Sequence, residues 1–316
     1  MTYPKLVLTA IICCVASVVS FAQQAPTTEV KDLVAKAKKH WGDSLQLVYL
    51  QQAEQAADRQ KDIHGKGLVY QQMGSYYYSR KPDSCIYYQL KAYELLLKAG
   101  NKKMAAICLH SVGFTYEEMK HDSKAALKYI EQSIPIHHEL NDSMELGNMY
   151  KYTGMLKGKL GRYTAAHKDI DSSFYYFHSV GYMDGVAVSF YDRAIVYKSE
   201  GKTDSALIFL SRAYHYWYNE SEANDQQIAS RLFNINNVRF PLLVEKNFTK
   251  LARGVLIDND DILNSKNIYY TDRLAHYQNG AGFTGKRKKN DKPASYYQQQ
   301  YRSLKDSLES KGIYVQ

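Results

Sequence analysis

The sequence predicts an all-α fold, a solenoid of helical hairpins followed by a helical C-terminal extension. Small residues recur at Gly74, Gly113, Gly154 and Ala194, separated by 39, 41 and 40 positions. A second ladder of Ala53, Ala92, Ser133, Ser173 and Ala213 keeps the same step. A fixed period of this size marks repeats that bury their apolar faces against their neighbours. The apolar residues inside the repeats supply the third observation. They stand at Ala126, Ile130, Ser133 and Ile134; at Ala166, Ile170, Ser173, Phe174 and Phe177; and at Ala206, Leu210, Ala213, Tyr214 and Trp217. Offsets of 0, 4, 7, 8 and 11 put such residues on one face of a helix.

Each repeat therefore closes on an amphipathic helix. Its first half pairs a small residue with an aromatic three positions on, as in Gly74/Tyr77, Gly113/Tyr116 and Ala194/Tyr197. Glycine inside a helix costs about 1 kcal/mol against alanine. Its recurrence predicts a neighbouring helix packed too close for a larger side chain. The predicted unit is two antiparallel helices in tight contact.

These residues resemble the tetratricopeptide (TPR) family, whose first helix carries a small residue and then Tyr, and whose second carries small, apolar and small positions. Ala194, Tyr197, Gly201, Ala206, Leu210 and Ala213 stand at the family's relative positions. The resemblance implies a right-handed TPR-like helical-hairpin solenoid over residues 23–221, with about five helix pairs. Three features depart from the pattern. The period is nearer 40 than the 34 of the plain repeat, Lys157 replaces the expected aromatic, and two units shift by one residue between helices. The longer variants of the family imply that the extra residues lie in longer connections.

Ahead of the repeats, Lys5 precedes an apolar run from Leu6 to Val19, and Ser20 and Ala22 hold the small positions before a cleavage site. Residues 1–22 read as a secretory signal peptide, and the run is short for a membrane span of about 20 residues. The expected mature chain is exported, periplasmic or extracellular, with no membrane span. Beyond it, Val30, Leu33, Val34, Ala37 and Trp41 open a worn first unit, and Leu50, Ala53 and Ala57 mark its second helix. Asp-Ser recurs at Asp43, Asp83, Asp122 and Asp204, each at the predicted head of a second helix, where aspartate caps free amide hydrogens. Cys85 and Cys108 lie on consecutive helices. Export permits a disulfide between them, while their place on the repeat makes two small core residues the better reading.

Residues 222–316 read as a helical C-terminal extension. The pattern allows a degenerate helix pair over 222–238 and 241–257, with Pro241 near the start of the second helix. Asp258 to Asp261 reads as a turn and cap before a helix through about Gln278. A basic loop near 280–293 follows, and then a closing helix from Ala294 to Lys311 with Tyr297, Tyr301, Leu304 and Leu308 along one side.

Chemistry-bearing motifs are sparse. Gly280, Gly282, Gly285 and Lys286 match most of a phosphate-binding loop, but Arg287 stands where a magnesium-binding Ser or Thr belongs and no apolar strand precedes. The solvated basic loop is the preferred reading. No two of the ten histidines are four residues apart, and no Gly-x-Ser-x-Gly elbow occurs. No enzyme activity, cofactor or metal is expected.

What remains is the surface of the first helices. The TPR resemblance implies that positions on their concave side bind ligands. Carried over, these are Gln71, Ser75 and Tyr78; His110, Phe114, Glu117 and Glu118; Asn148, Lys151, Met155 and Lys159; and Tyr191, Ile195 and Lys198. Asn148, Lys151, Lys159 and Lys198 would make half of that groove cationic. The plainer alternative for each is an exposed polar helix residue. The net charge of +9 favours an acidic partner, and its spread along an exported chain disfavours nucleic acid. The expected function is an exported, non-enzymatic TPR scaffold binding a protein or peptide. The alternatives are a detached sensor module of an envelope signalling system, and an enzyme or nucleotide binder in the C-terminal region.

Overall fold

A computed structural model of the chain describes residues 25–220, 224–265, 270–283 and 291–310. The signal-peptide reading of residues 1–22, and Gly285 and Lys286 of the glycine-rich loop, lie outside these residues. The fold is all-α, and no strand occurs among the described residues. Successive helices pair as hairpins: α1 (Thr28–Lys39) with α2 (Ser44–Gln60), α3 (Ile63–Tyr77) with α4 (Pro82–Lys98), and α5 (Lys102–Phe114) with α6 (Ser123–Glu139). Then follow α7 (Ser143–Lys159) with α8 (Tyr163–Ser179), α9 (Met183–Ser199) with α10 (Thr203–Asn219), α11 (Asp225–Glu245) with α12 (Thr249–Ser265), and α13 (Tyr270–Gly282) with α14 (Ala294–Glu309). The chain divides into two compact units, one ending at Asn141 and one beginning at Asp142.

The 40-residue step is filled by helices, which corrects the expectation of long connections. Helices α7 to α10 each span 17 residues and are joined by the triplets 160–162, 180–182 and 200–202. The middle residue of each triplet is a glycine in the left-handed region, Gly161 (φ 71°), Gly181 (φ 70°) and Gly201 (φ 77°). This conformation lets the following amide reach back along the helix, as Tyr182 N does to Phe177 O at 2.9 Å and Arg162 N to Lys157 O at 2.8 Å. Carbonyls left over at the helix end are thereby satisfied.

The small residues of the first helices sit where the second helices press in. A Cβ on Gly113 would stand 2.6 Å from Ile130 Cγ1, and one on Gly154 would stand 2.8 Å from Ile170 Cγ1 and 3.2 Å from the Ala166 carbonyl oxygen. The one-residue shift has a local cause in the repeat that contains Gly113. Helix α5 runs on into a π-helical turn at Thr115–Met119, which takes up one residue without breaking the helix.

In the first unit, Val30, Val34, Ala37, Leu50, Ala53, Ala56 and Met73 form one core cluster. Ala92, Leu96, Ala105 and Cys108 form another. In the second unit Ala194, Ala206, Leu210, Ala213 and Trp217 meet Leu232 and Ile235 of α11. Each fully buried Leu or Ile contributes about 1.5–3 kcal/mol. The stripe read as the face of each second helix is thus the face that is buried.

Three local expectations are corrected. Asp43 and Asp122 cap α2 and α6, accepting from Leu45 N and from Lys124 N and Ala125 N. Asp83 and Asp204 instead lie inside the first turns of α4 and α10, whose N-caps are Lys81 and Lys202. They pair with Lys120 and Lys246 of the following hairpin. Pro241 lies inside α11 rather than at a helix start: an Asn224/Gln227 capping box opens that helix, and buried Phe240, Leu242 and Leu243 hold it through the proline. Residues 258–261 lie within α12, because Asn259 and Asp260 are buried and bond to neighbouring helices instead of capping their own.

Candidate functional site

In the first unit, the predicted surface residues are largely engaged with neighbouring side chains. Gln71 is buried; its carbonyl accepts from Gln89 Nε2 at 3.2 Å and its side-chain oxygen from Gln72 Nε2 at 2.5 Å. His110 is also buried, with its Nε2 2.9 Å from His137 Nε2 on α6, and its ring lies beside Phe114 at 6.4 Å. Both residues therefore belong to the inside of their hairpins, a correction to their reading as positions facing the groove. Tyr78 reaches the next repeat and donates to Glu118, while Glu117 accepts from Ser123 Oγ at 2.7 Å.

The second unit presents a different arrangement. Helices α7 and α9 pack side by side, as do α11 and α13, and Arg231 of α11 bridges to Asp184 of α9 at 2.6 Å. Lys151 of α7 is half-buried, with its Nζ 4.5 Å from the Tyr152 ring centroid. Burial holds its amine below the ordinary lysine range, opposed by the charges of Asp192 and Glu145. Asp192 of α9 is 5% exposed and its Oδ2 has no hydrogen-bond partner. Burial pushes its carboxyl up to about 7, with the Lys151 charge working against the shift.

Next to Asp192, burial pushes the Tyr191 hydroxyl up to about 12, with Asp192 and Asp272 adding to the effect. The Tyr191 ring lies 6.1 Å from Trp217. Asp272 of α13 faces the same region, and with its nitrogen turned toward that carboxylate the Asn234 amide donates to both oxygens at 2.8 and 3.0 Å. Asn148 is half-buried on α7, one turn before Lys151. Lys159 and Lys198 are exposed near the ends of their helices. The eight residues from Lys151 to Lys159 are about 12 Å of helix. The four expected groove residues therefore do not surround one point; a single amine meets a buried acid.

Asp192, Asp272 and Trp217 are not among the residues nominated from sequence. A signal for Asp192 exists. It stands two positions before the small residue of its repeat, as Gln72 stands before Gly74 and Ser111 before Gly113, so this slot repeatedly carries a polar group at the contact between helices.

Polar burial in the last hairpins serves packing. His276 Nε2 lies 2.9 Å from Asp260 Oδ1, and Tyr297 donates to Asp260 Oδ2 at 2.7 Å. Burial opposes ionisation of Asp260, yet the hydrogen bonds from His276 and Tyr297 and the Lys292 charge hold its carboxyl below the ordinary range. This network ties α12, α13 and α14 together, and a Cβ at Gly280 would collide with the Tyr297 ring. Among the described residues no group of three or more His, Cys, Asp and Glu side chains could hold a metal ion. None of the described helices is long and apolar enough to cross a membrane. Cys85 and Cys108 are free and buried.

No protein-family model matches the chain, and no curated protein matches it in sequence. Solved structures match it in fold. The apo form of RapI aligns with a TM-score of 0.58 at 12% identity, covering 89% of this chain and 99% of that one. BtubC (BKLC) from P. vanneervenii aligns with a TM-score of 0.53 at 10% identity, covering 84% of this chain and 98% of that one. Both neighbours are TPR-like helical-repeat proteins, and at these identities the likeness is one of fold.

Proposed function

We propose that the chain is a non-enzymatic helical-repeat scaffold that holds a protein or peptide partner against the face of α7 and α9 in its second unit. One observation carries the reading. Asp192 Oδ2 is buried without a hydrogen-bond partner, and the half-buried amine of Lys151 lies within electrostatic reach of that acid. A buried polar group left without a partner costs about 1–3 kcal/mol. An extended peptide supplies an N–H for Asp192 and a carbonyl or carboxylate oxygen for Lys151. Tyr191, Trp217 and Asn148 beside them are the kinds of group that anchor such segments. The net charge of +9 favours an acidic partner. We assign export to the same chain on the strength of Lys5, the apolar run from Leu6 to Val19 and the small residue Ala22.

The test is selection of peptides from a random library on the purified chain beginning at residue 23. Calorimetry of the selected peptide would follow, against wild type, Lys151→Met and Asp192→Asn. Both variants are expected to weaken binding at least about tenfold, or 1.4 kcal/mol, with folding retained by circular dichroism. Equal affinity for all three proteins, or no selected peptide, would remove this face as the binding site.

A further inference from the structure

A second feature in the same unit has a different chemistry and owes nothing to the face described above. Where α8, α9 and α10 meet, a crevice of about 180 Å³ is floored by Phe174, Phe190 and Phe209 and walled by Arg193, Arg212 and Asp171. The floor is continuous: the Phe174 and Phe190 rings lie 5.4 Å apart, and the Phe190 and Phe209 rings 6.1 Å apart. The two arginines are not equivalent. Arg193 is committed, donating to Asp171 and to the His167 carbonyl at 3.3 Å.

Arg212 is not so committed. Its guanidinium carbon lies 4.9 Å from the Phe209 ring centroid and 5.9 Å from that of Phe190. It makes no hydrogen bond or ion pair with the described residues. A guanidinium stacked on a ring keeps its N–H donors at its edges, where they match the two oxygens of a carboxylate.

The repeat does not require the two arginines. Forty positions before Arg193 and Arg212 stand Thr153 and Ser172, while Phe209 fills a ring position of the repeat. The hairpin stack is thus built without this combination, which belongs to one hairpin. Pockets that enclose a whole small molecule run to about 300–1,000 Å³, so this one has room for a single side chain. Its chemistry asks for an apolar, flat group with one carboxylate attached. An aspartate or glutamate side chain lacks the apolar body. A free aromatic amino acid sets an ammonium next to its carboxylate, and so brings a positive charge beside Arg212.

We propose that this crevice binds the C-terminal residue of a polypeptide ending in an aromatic side chain. The ring lies on Phe174, Phe190 and Phe209, and the terminal carboxylate takes the open edge of Arg212. Arg193, paired with Asp171, fixes the wall, and Arg212 supplies its unbalanced positive charge. A chain end is thereby told apart from an internal aromatic residue, whose carbonyl carries no charge.

The probe is N-acetyl-Gly-Gly-Phe, as the free acid and as the C-terminal amide, titrated by NMR into wild type, Arg212→Gln and Lys151→Met. The free acid is expected to saturate wild type and Lys151→Met alike. The amide on wild type, and the acid on Arg212→Gln, are expected to bind at least tenfold more weakly. Arg212 is exposed, so its replacement should leave the melting temperature unchanged and a loss of binding would not reflect misfolding. Acid and amide binding alike, wild type and Arg212→Gln binding alike, or no saturable binding of the acid would each overturn the proposal. Free phenylalanine binding as tightly as the peptide acid would overturn it in favour of a small-molecule site. Because Lys151→Met keeps this site and removes the other, failure of either reading shows separately.

Discussion

Lys157 Nζ lies 2.6 Å from Asp169 Oδ2, at the place where other hairpins stack two rings. Tyr77 lies on Tyr88 at 5.6 Å and 8°, Tyr116 on Tyr129 at 5.5 Å and 6°, and Tyr197 on Phe209 at 5.5 Å and 25°. One hairpin has therefore exchanged a ring pair for an ion pair, and both positions have changed together. With only 16% and 12% of the side chains exposed, neither charge is tolerable alone. Asp169→Leu is expected to cost about 2–4 kcal/mol, somewhat less than breaking a fully buried pair. The double variant Lys157→Tyr/Asp169→Tyr is expected to stay within about 1 kcal/mol of wild type, since it restores the arrangement of Tyr116 and Tyr129. Urea unfolding of Lys157→Tyr, Asp169→Tyr and the double supplies the cycle; additive single effects would show that the pair is not coupled.

Two glycines seven residues apart should respond oppositely to asparagine. Gly161 has a φ of 71° and open space where a Cβ would stand, with no atom within 4 Å. Gly161→Ala therefore costs about 1 kcal/mol through the backbone alone, and Gly161→Asn less. Gly154 lies in a helix, and its constraint is contact with Ile170 and the Ala166 carbonyl. Gly154→Ala is expected to lose by crowding what it gains in helix propensity, and Gly154→Asn to cost about 2 kcal/mol or more. Thermal unfolding of the four variants checks the ranking, and an Asn variant at 154 milder than the one at 161 would contradict it.

The repeat is legible because it is written in side chains that touch: Gly113 and Gly154 against Ile130 and Ile170, and Ala194, Ala206, Leu210 and Ala213 in one cluster. The division of each period is also present in the sequence. Gly161, Gly181 and Gly201 fall 20 residues apart, which marks a turn after every helix and leaves no room for long connections. Pro241 and residues 258–261 mislead for a common reason. Local signals for breaks are outweighed by burial of Phe240, Leu243, Asn259 and Asp260 against neighbouring helices, which no local window contains. The proposed face of α7 and α9 is legible only in part. Lys151 and Tyr191 follow from counting along the repeat, but Asp192 matters through burial, and Gln71 and His110 are turned inward by partners Gln89 and His137 from the adjoining helix.

The two cysteines should behave as inert core. Burial pushes the Cys108 thiol up to about 12. It also raises that of Cys85, although the contact with Thr115 Oγ1 at 3.2 Å opposes the shift. The thiolate is the reactive form. In a chain beginning at residue 23, a disulfide-exchange reagent at about pH 8 is expected to modify neither thiol in the native state and both in denaturant. Fast native labelling of either would show that α4 or α5 opens readily.

Asp192 gives the fold a pH dependence whose sign is fixed by its burial. Unfolded, its carboxyl loses a proton near pH 4; folded, it keeps the proton to about 7. Across that window the folded chain binds more protons, so this group's contribution falls as pH rises, and the full cost is present above about pH 7. Lys151 and Glu145 from α7, Tyr191 from α9 and Asp272 from α13 surround the region, and Lys151 moderates the cost. Asparagine cannot ionise. Relative to wild type, Asp192→Asn is therefore expected to gain up to about 4 kcal/mol between about pH 4 and pH 8. Urea unfolding at about pH 4, 6 and 8 would reveal the gain, and parallel curves for the two proteins would mean that Asp192 ionises in the folded state as it does in water.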